Sequence, residues 1–309
     1  MGATTSVARS VKAPGTSTSE RSGRPSAPLR RRKRRSAGSL AARALGYGVL
    51  SALSAISAVP LVWMVLTSFK RRDEVFGGGL LPSKWQGSAY AYIWQELHIW
   101  QYFLNSVVVT ALTVVAVVVV SCFGGYAFAW LDIPAKRSLY ALLLSALLIP
   151  AGILLIPAFL ELRSFGLLNT RTGLSLVYIG THVSFAILLM RTFFEAAPGE
   201  LREAAKIDGA GEVRIFRSIM VPLTGPGIAT VAIFQVLTTW NELLFANAFI
   251  QSQDRQPLQP GLYSLVGQHS TNWPALTAAL TVAVAPVIVF YVFMQRQFVA
   301  GVTAGSVKG

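Results

Sequence analysis

Six stretches, each longer than twenty residues and nearly free of charge, recur along this 309-residue chain and restrict its fold more than any motif does. They run Ala44–Phe69, Asn105–Leu131, Ser138–Leu160, Gly173–Phe194, Thr224–Ile250 and Ala275–Phe298. A helix needs about 20 apolar residues to cross the hydrocarbon core of a bilayer, so each stretch is long enough to span it. Inside lipid the backbone must satisfy its own hydrogen bonds. Every stretch should therefore be helical, even where Val115 to Val120 would favour a strand in water. Only 13% of the residues are charged, against about 25% in an average soluble domain. The expected fold is all-α: a polytopic integral membrane protein with six transmembrane helices.

Basic residues set the expected orientation. Eleven Lys or Arg precede Ala44, against one acid, Glu20, which keeps the N-terminus in the cytoplasm by the positive-inside rule. Six spans return the C-terminus to the same side and place 20 of the 27 basic residues there. Lys70, Arg71 and Arg72 run against the pattern, clustered outside just past the first span, but the RRRKRR run from Arg30 to Arg35 outweighs them. The chain thus divides into a basic cytoplasmic arm (1–43), the first helix (44–69), an external loop (70–99), a five-helix core (100–298) and a cytoplasmic tail (299–309). The arm has few large apolar residues and should be disordered. Its basic run suits nucleic acid, anionic headgroups or topology alone, and the charge asymmetry favours topology and lipid contact. Small residues from Ser54 to Ala58 would suit a cleavage site, but the apolar run continues through Trp63 to Phe69, as an uncleaved span would.

Metal and covalent chemistry find little support. Cys122 is the lone cysteine, so an intrachain disulfide and every multi-cysteine metal site are excluded. His98, His182 and His269 are far apart and none has a second ligand at helical spacing, so no metal is expected. His182 lies within the fourth stretch, either as a functional group or as a neutral imidazole bonded to a neighbouring helix; a lone histidine favours the second. The spans carry no nucleophile with a base and no paired carboxylates, which argues against an intramembrane enzyme. An ion-coupled carrier would bury several carboxylates near the midplane, whereas Glu242 alone lies well within a stretch. A central charge costs about 2.5 to 3.5 kcal/mol, so Glu242 should be paired or face water. No GxxxxGK[ST] phosphate loop occurs, so any ATP hydrolysis belongs to a partner and no cofactor is expected.

Between the fourth and fifth stretches the chain reads EAAKIDGAGEVRIFRSIMVPL, from Glu203 to Leu223. Pro198 can occupy the first turn of a helix, and Glu200 and Glu203 sit near the positive end of its dipole. Leu201, Ala204, Ala205 and Asp208 share one face, mostly of small side chains that permit close approach. Gly209 and Gly211 then bend or end the helix. A second helix from Glu212 carries Val213, Phe216 and Met220 on one stripe until Pro222 opens the next stretch. A DNA-binding helix-turn-helix has a similar outline. However, Glu200, Glu203, Asp208 and Glu212 cancel Arg202, Lys206, Arg214 and Arg217, so a phosphate backbone would not be attracted. An amphipathic connector and a docking element both remain.

Glu203-Ala204-Ala205, then Asp208-Gly209-Ala210, Phe216, Ile219 and Pro222-Leu223, resemble the EAA loop of ABC importer permeases in residue type, order and spacing. TTWNELLF from Thr238 to Phe245 and QRQFVAGVTAGSVKG from Gln295 to Gly309 extend the likeness to the second permease of carbohydrate importers of the maltose-permease type. It covers roughly residues 45 to 309. Gly211 stands where that family often has a polar residue, and Leu243 where it often has an aromatic. The resemblance implies a type I ABC importer permease fold in the cell membrane. It also implies a sister permease, two cytoplasmic ATPase subunits and an external solute-binding protein. Glu203, Ala204, Ala205, Asp208, Gly209 and Ala210 would then form the ATPase-coupling element: Glu203 at the rim of the ATPase cleft, Ala204 and Ala205 for close seating, Gly209 as the elbow. The tail near Thr303 to Gly309 would reach the same interface.

The translocation path is less legible. Gln235, Thr239, Trp240 and Asn241 offer a sugar an aromatic face and hydrogen-bonding groups, but Trp240 also reads as packing and Asn241 as a bond between helices. The resemblance favours the structural reading, since it places sugar contacts mainly on the sister subunit. Gln268, His269, Asn272 and Trp273 are candidates to touch the binding protein, and Pro150, Pro157 and Pro286 to kink their helices. The expected function is uptake of a sugar or oligosaccharide without covalent chemistry. The alternatives are a glycerol phosphodiester or polyamine as cargo, or an ion-coupled carrier.

Overall fold

The computed structural model describes residues 37–267 and 271–306, with side chains over 43–267 and 271–295. Most of the basic arm, Gln268, His269 and the side chains of the tail lie outside the described residues. The chain divides into two units, Met1–Ala55 and Ile56–Gly309. The described part of the first unit is the opening of α1 (Ala37–Thr67), where Leu45, Tyr47, Val49, Leu50 and Leu53 are all exposed, as lipid contact requires.

The second unit continues from α1 through α2 (Glu74–Gly77), α3 (Ser88–Gln95) and α4 (Ile99–Trp130). Then come α5 (Lys136–Ser145), α6 (Leu155–Ser164), α7 (Arg171–Ala196), α8 (Gly199–Ile207), α9 (Glu212–Ile215) and α10 (Val221–Leu223). It ends with α11 (Gly225–Trp240), α12 (Leu244–Phe249), α13 (Leu258–Tyr263) and α14 (Trp273–Ser306). Among the described residues there is no strand, and the valine run from 115 to 120 is helical within α4, as the lipid argument requires.

The central contact pairs α4 with α7. Glycine makes it possible: a methyl group on Gly125 would lie 2.7 Å from Met190 Cβ and 2.8 Å from the Arg191 nitrogen, and one on Gly124 would lie 2.9 Å from Ile187 Cδ1. Small residues let two membrane helices approach where dispersion is the main attraction between them. Around the pair, Val117, Cys122, Tyr126, Met190, Phe194 and Ile215 form one buried cluster. A second, at the other end of α4, joins Ile99 and Tyr102 to Ile93, Leu258 and Ala279.

Four helices cross a membrane's thickness unbroken by length and composition: Arg43–Thr67, Ile99–Trp130, Arg171–Ala196 and Trp273–Gln295. Two bent pairs bring the total to six if each pair counts as one span. The stretch expected to run straight from Ser138 to Leu160 is instead Lys136–Leu148 and Ala151–Ser164, meeting at 92°. Pro150 causes the break, because it offers no N–H and holds Ile149 extended at φ −85°, ψ 114°. Pro157 falls in the first turn of α6, where proline is tolerated, and α14 runs on through Pro286. The fifth stretch also differs from expectation. Glu212–Leu223 meets Gly225–Trp240 at 73°, and α11 stops at Trp240 instead of reaching Ile250.

Glu242 therefore lies in the turn before α12, not within a continuous span. Its carboxylate accepts from the Phe245 and Ala246 nitrogens at 3.0 and 3.1 Å and from the Tyr178 hydroxyl at 2.6 Å. The pairing expected for a carboxylate at this depth comes from backbone donors opening α12 and from a buried phenol on α7. His182 stacks on Tyr178 with ring centroids 5.9 Å apart, and the two planes differ by 5°.

Candidate functional site

The segment after α7 is a helix, an elbow and a helix, as its sequence suggests. Pro198 precedes α8 as its N-cap at φ −61°, ψ 118°, just ahead of the first turn. The Ala210 N–H donates to the Ala205 carbonyl at 2.9 Å and the Gly209 N–H to the Lys206 carbonyl at 3.0 Å. This pair of bonds closes a helix C-terminus in the Schellman pattern, with Gly209 in the left-handed region at φ +77°. Gly211, at φ −70°, has ordinary backbone geometry. Only Gly209 is required to be glycine on conformational grounds.

The elbow is fastened by Glu212. One carboxylate oxygen accepts from Arg202 Nη2 at 2.5 Å and lies 3.0 Å from Lys206 Nζ, both on α8. The other accepts from the Tyr126 hydroxyl of α4 at 2.6 Å. Partial burial alone would push the Glu212 carboxyl up. The Tyr126 hydroxyl, Lys206 and Arg202 outweigh that effect and hold it below 4.5. Arg202 also lies 5.5 Å from the Trp130 ring, whose indole N–H donates to the Phe194 carbonyl at 3.0 Å. A methyl group on Gly199 would lie 3.2 Å from the same ring. Phe216 packs beneath, 4.9 Å from Phe123 and 5.0 Å from Tyr126. Tyr126 and Trp130 of α4 and Phe194 of α7 thus all meet this segment.

The six residues of the expected coupling element divide by exposure. Glu203, Ala204, Asp208 and Gly209 are exposed, Ala210 is half-buried, and Ala205 is buried in the cluster around α4 and α7. Ala205 therefore seats α8 on its own protein and is not presented outward with Ala204. The expected stripe of Val213, Phe216 and Met220 also divides. Val213 is 80% exposed, and Ile215 and Met220 are fully buried, because the π-turn Phe216–Met220 shifts the register. With Ile207 at 87%, the loop exposes two large aliphatic side chains among charges of both signs. The sequence reading missed Tyr126, Trp130 and the central part played by Glu212. Glu212 was visible only as one charge among eight, and Tyr126 gave no signal because its partner lies 86 residues away.

The expected path residues do not form one open surface. Gln235, Thr239 and Trp240 are buried among the helices, and the Trp240 indole donates to the Ala283 carbonyl at 3.2 Å. Its ring meets Phe103 edge-on at 5.6 Å, so the packing reading fits Trp240. Asn241 is exposed and donates to the Leu237 carbonyl at 2.8 Å within its own helix turn, not to a neighbouring helix. Trp273 meets Phe76 edge-on at 5.4 Å, and the Asn272 side chain accepts from the Ala275 nitrogen at the start of α14.

The same organisation recurs in known proteins. The family described as binding-protein-dependent transport system inner membrane component matches residues 118–304. The diacetylchitobiose uptake system permease protein NgcG of Streptomyces coelicolor is 35% identical over 268 residues, 86% of this chain and 89% of that protein. The arabinooligosaccharides transport system permease protein AraQ of Halalkalibacterium halodurans is 34% identical, over 82% of this chain and 92% of that one. Among solved structures, a chain of a bacterial ABC transporter involved in import of the acidic polysaccharide alginate superposes with a TM-score of 0.73. It is 25% identical and covers 85% of this chain and 98% of its own. With this likeness covering 86% of the chain, and with an EAA-type loop folded as helix, elbow and helix, the chain belongs to the family of binding-protein-dependent transport system inner membrane components, the permeases of ABC importers.

Proposed function

We propose that this permease carries a sugar or oligosaccharide, handed over by an external binding protein, and that α8 with its elbow is the handle by which an ATPase subunit drives it. As a member of its family the chain is a transport subunit and not an enzyme. The cargo reading rests on the relatives, whose names specify diacetylchitobiose and arabinooligosaccharides. The observation that carries the coupling reading is the exposed edge of α8. Glu203, Ala204 and Ile207 project outward while Glu212 ties the same helix to α4. An exposed isoleucine and valine beside carboxylates suit a cleft in another protein better than water.

In this reading the α8 end of the molecule lies in the cytoplasm, as do both termini, because the basic arm dictates it. A sister permease completes the path and two ATPase subunits sit beneath. When the ATPase pair closes, α8 moves with it. The Glu212–Tyr126 bond and the Trp130–Gly199 contact pass the displacement to α4, and the Trp130 bond to the Phe194 carbonyl passes it on to α7.

The test is uptake in vesicles containing the chain with its partner subunits and binding protein. Labelled oligosaccharide should accumulate only with internal ATP, and Glu203→Lys should abolish accumulation while the protein remains inserted. Uptake that persists without ATP and collapses with an ion gradient would identify a secondary carrier instead. Normal uptake by Glu203→Lys would remove the coupling role from α8.

A further inference from the structure

Lys70, Arg71 and Arg72 run against the charge asymmetry of the rest of the chain, and the fold gathers them at one place. With Gln86, Ser88 and Asn272 they line a cavity of about 370 Å³. It lies three residues beyond the end of α1 and beside the first residues of α3 and α14. α3 and α14 cluster with Ile99 at the start of α4, whereas Glu212 bonds Tyr126 near its end. The cavity and the coupling loop are therefore at opposite ends of a 32-residue helix, about 48 Å long.

The charge balance of the cavity, three cations to one carboxylate, favours a negative occupant. Asp73 is its single carboxylate among the described residues, and it is already 3.3 Å from Arg71. Lys70 is only 4% exposed, rare for lysine, and among the described residues its ammonium has one partner, the Gly79 carbonyl at 2.7 Å, of the three it can take. The helix N-termini at Ser88 and Asn272 add the positive ends of two dipoles.

The surroundings specify which anion. In the same loop Phe76 is 73% exposed, Leu80 69%, and Leu81 and Trp85 64% each. Trp85 is held 5.4 Å from Phe69 and Phe76 5.4 Å from Trp273, so these side chains are fixed at the span ends. Aromatic and aliphatic side chains beside arginines at the end of a span mark the headgroup layer of a membrane, where a lone anion in water would have no use for them. We propose that this cavity seats the phosphate of an anionic phospholipid from the adjoining leaflet, with Phe76, Leu80, Leu81 and Trp85 against its glycerol and upper acyl chains. Guanidinium forks suit phosphate oxygens. A bound headgroup also explains why three cations persist on the face that the positive-inside rule leaves poor in them.

The experiment is native mass spectrometry of the assembled transporter released from nanodiscs of phosphatidylcholine with a minority of phosphatidylglycerol. Wild type should retain phosphatidylglycerol preferentially. The double variant Arg71→Gln with Arg72→Gln should retain about thirtyfold less, at roughly 1 kcal/mol for each of the two surface cations. Lys84→Gln removes a charge from the same loop outside the cavity and should retain the lipid. Equal losses in Lys84→Gln and the double variant would mean diffuse surface charge and overturn the proposal. Occupancy by inorganic phosphate in pure phosphatidylcholine, at the level seen with phosphatidylglycerol, would assign the cavity to a free anion. Unchanged lipid retention with weakened docking of the external binding protein would assign it to a protein carboxylate. Either result defeats the lipid reading.

Discussion

The Tyr126 hydroxyl donates a 2.6 Å hydrogen bond to Glu212, joining the interior of a membrane helix to a loop 86 residues further along the chain. A hydrogen bond to a charged group contributes about 1.5 to 3 kcal/mol. Tyr126→Phe keeps the ring that packs on Phe194 and Phe216 and deletes only the hydroxyl. Uptake should fall by about tenfold while ATP hydrolysis by the assembled complex continues. The check is the ratio of substrate imported to ATP hydrolysed, and a ratio equal to wild type would show that the bond transmits nothing.

The same carboxylate gives the loop a defined acid sensitivity. Its folded value lies below 4.5, so the fold favours the ionised form. That stabilisation is fully present above 4.5 and is lost as pH falls through the folded value. Hydrogen exchange across 199–215 should therefore be steady from neutral pH down to 4.5, after correction for intrinsic rates, and rise as the pH falls further through the folded value. Glu212→Gln should show no such rise.

The two glycines of the elbow should respond differently to substitution. Gly209→Val places a β-branched residue at φ +77°, which costs about 1 to 2 kcal/mol and disfavours the closure of α8. Gly211→Ala adds a methyl group with no neighbour within 4 Å at an ordinary φ, and should transport normally. Parallel uptake assays on inserted protein decide it, and equal defects in both would show that the elbow geometry is not what matters.

Gly125→Leu should damage the fold itself. Its first side-chain carbon would lie 2.7 Å from Met190 Cβ, and α4 and α7 would have to separate. Overpacking of this kind typically costs 1 to 3 kcal/mol. Thermal unfolding in detergent should shift down by several degrees, and an unchanged midpoint would mean that the helices can slide apart freely.

Glu242→Ala removes the acceptor shared by the Phe245 and Ala246 nitrogens and the Tyr178 hydroxyl. Each buried donor left unpaired costs about 1 to 3 kcal/mol, so the loss should exceed that of an ordinary surface change. Glu242→Gln, which keeps acceptor oxygen in place, should recover part of it. Thermal stability of the three proteins in detergent tests the order, and an alanine variant as stable as the glutamine would refute the capping role.

Apolar length alone made the chain an all-helical membrane protein, because lipid leaves the backbone no other way to satisfy its polar groups. The glycine at position 209 and the acids around it were equally plain, since a left-handed helix end and its charge are local properties. Packing decided what local pattern could not. Pro150 and the residues after Trp240 break two stretches that hydropathy reads as continuous, because an average over twenty residues is blind to one missing donor. Ala205 and Ala204 are neighbours of the same type, yet one is buried and the other exposed, and only the position of α8 against α4 and α7 separates them. Glu212 reads as one of eight charges that cancel, while the fold gives it Arg202, Lys206 and Tyr126. Charge and hydropathy are carried by single residues and survive in a string of letters, but a contact needs two, and chain folding alone brings Tyr126 to Glu212.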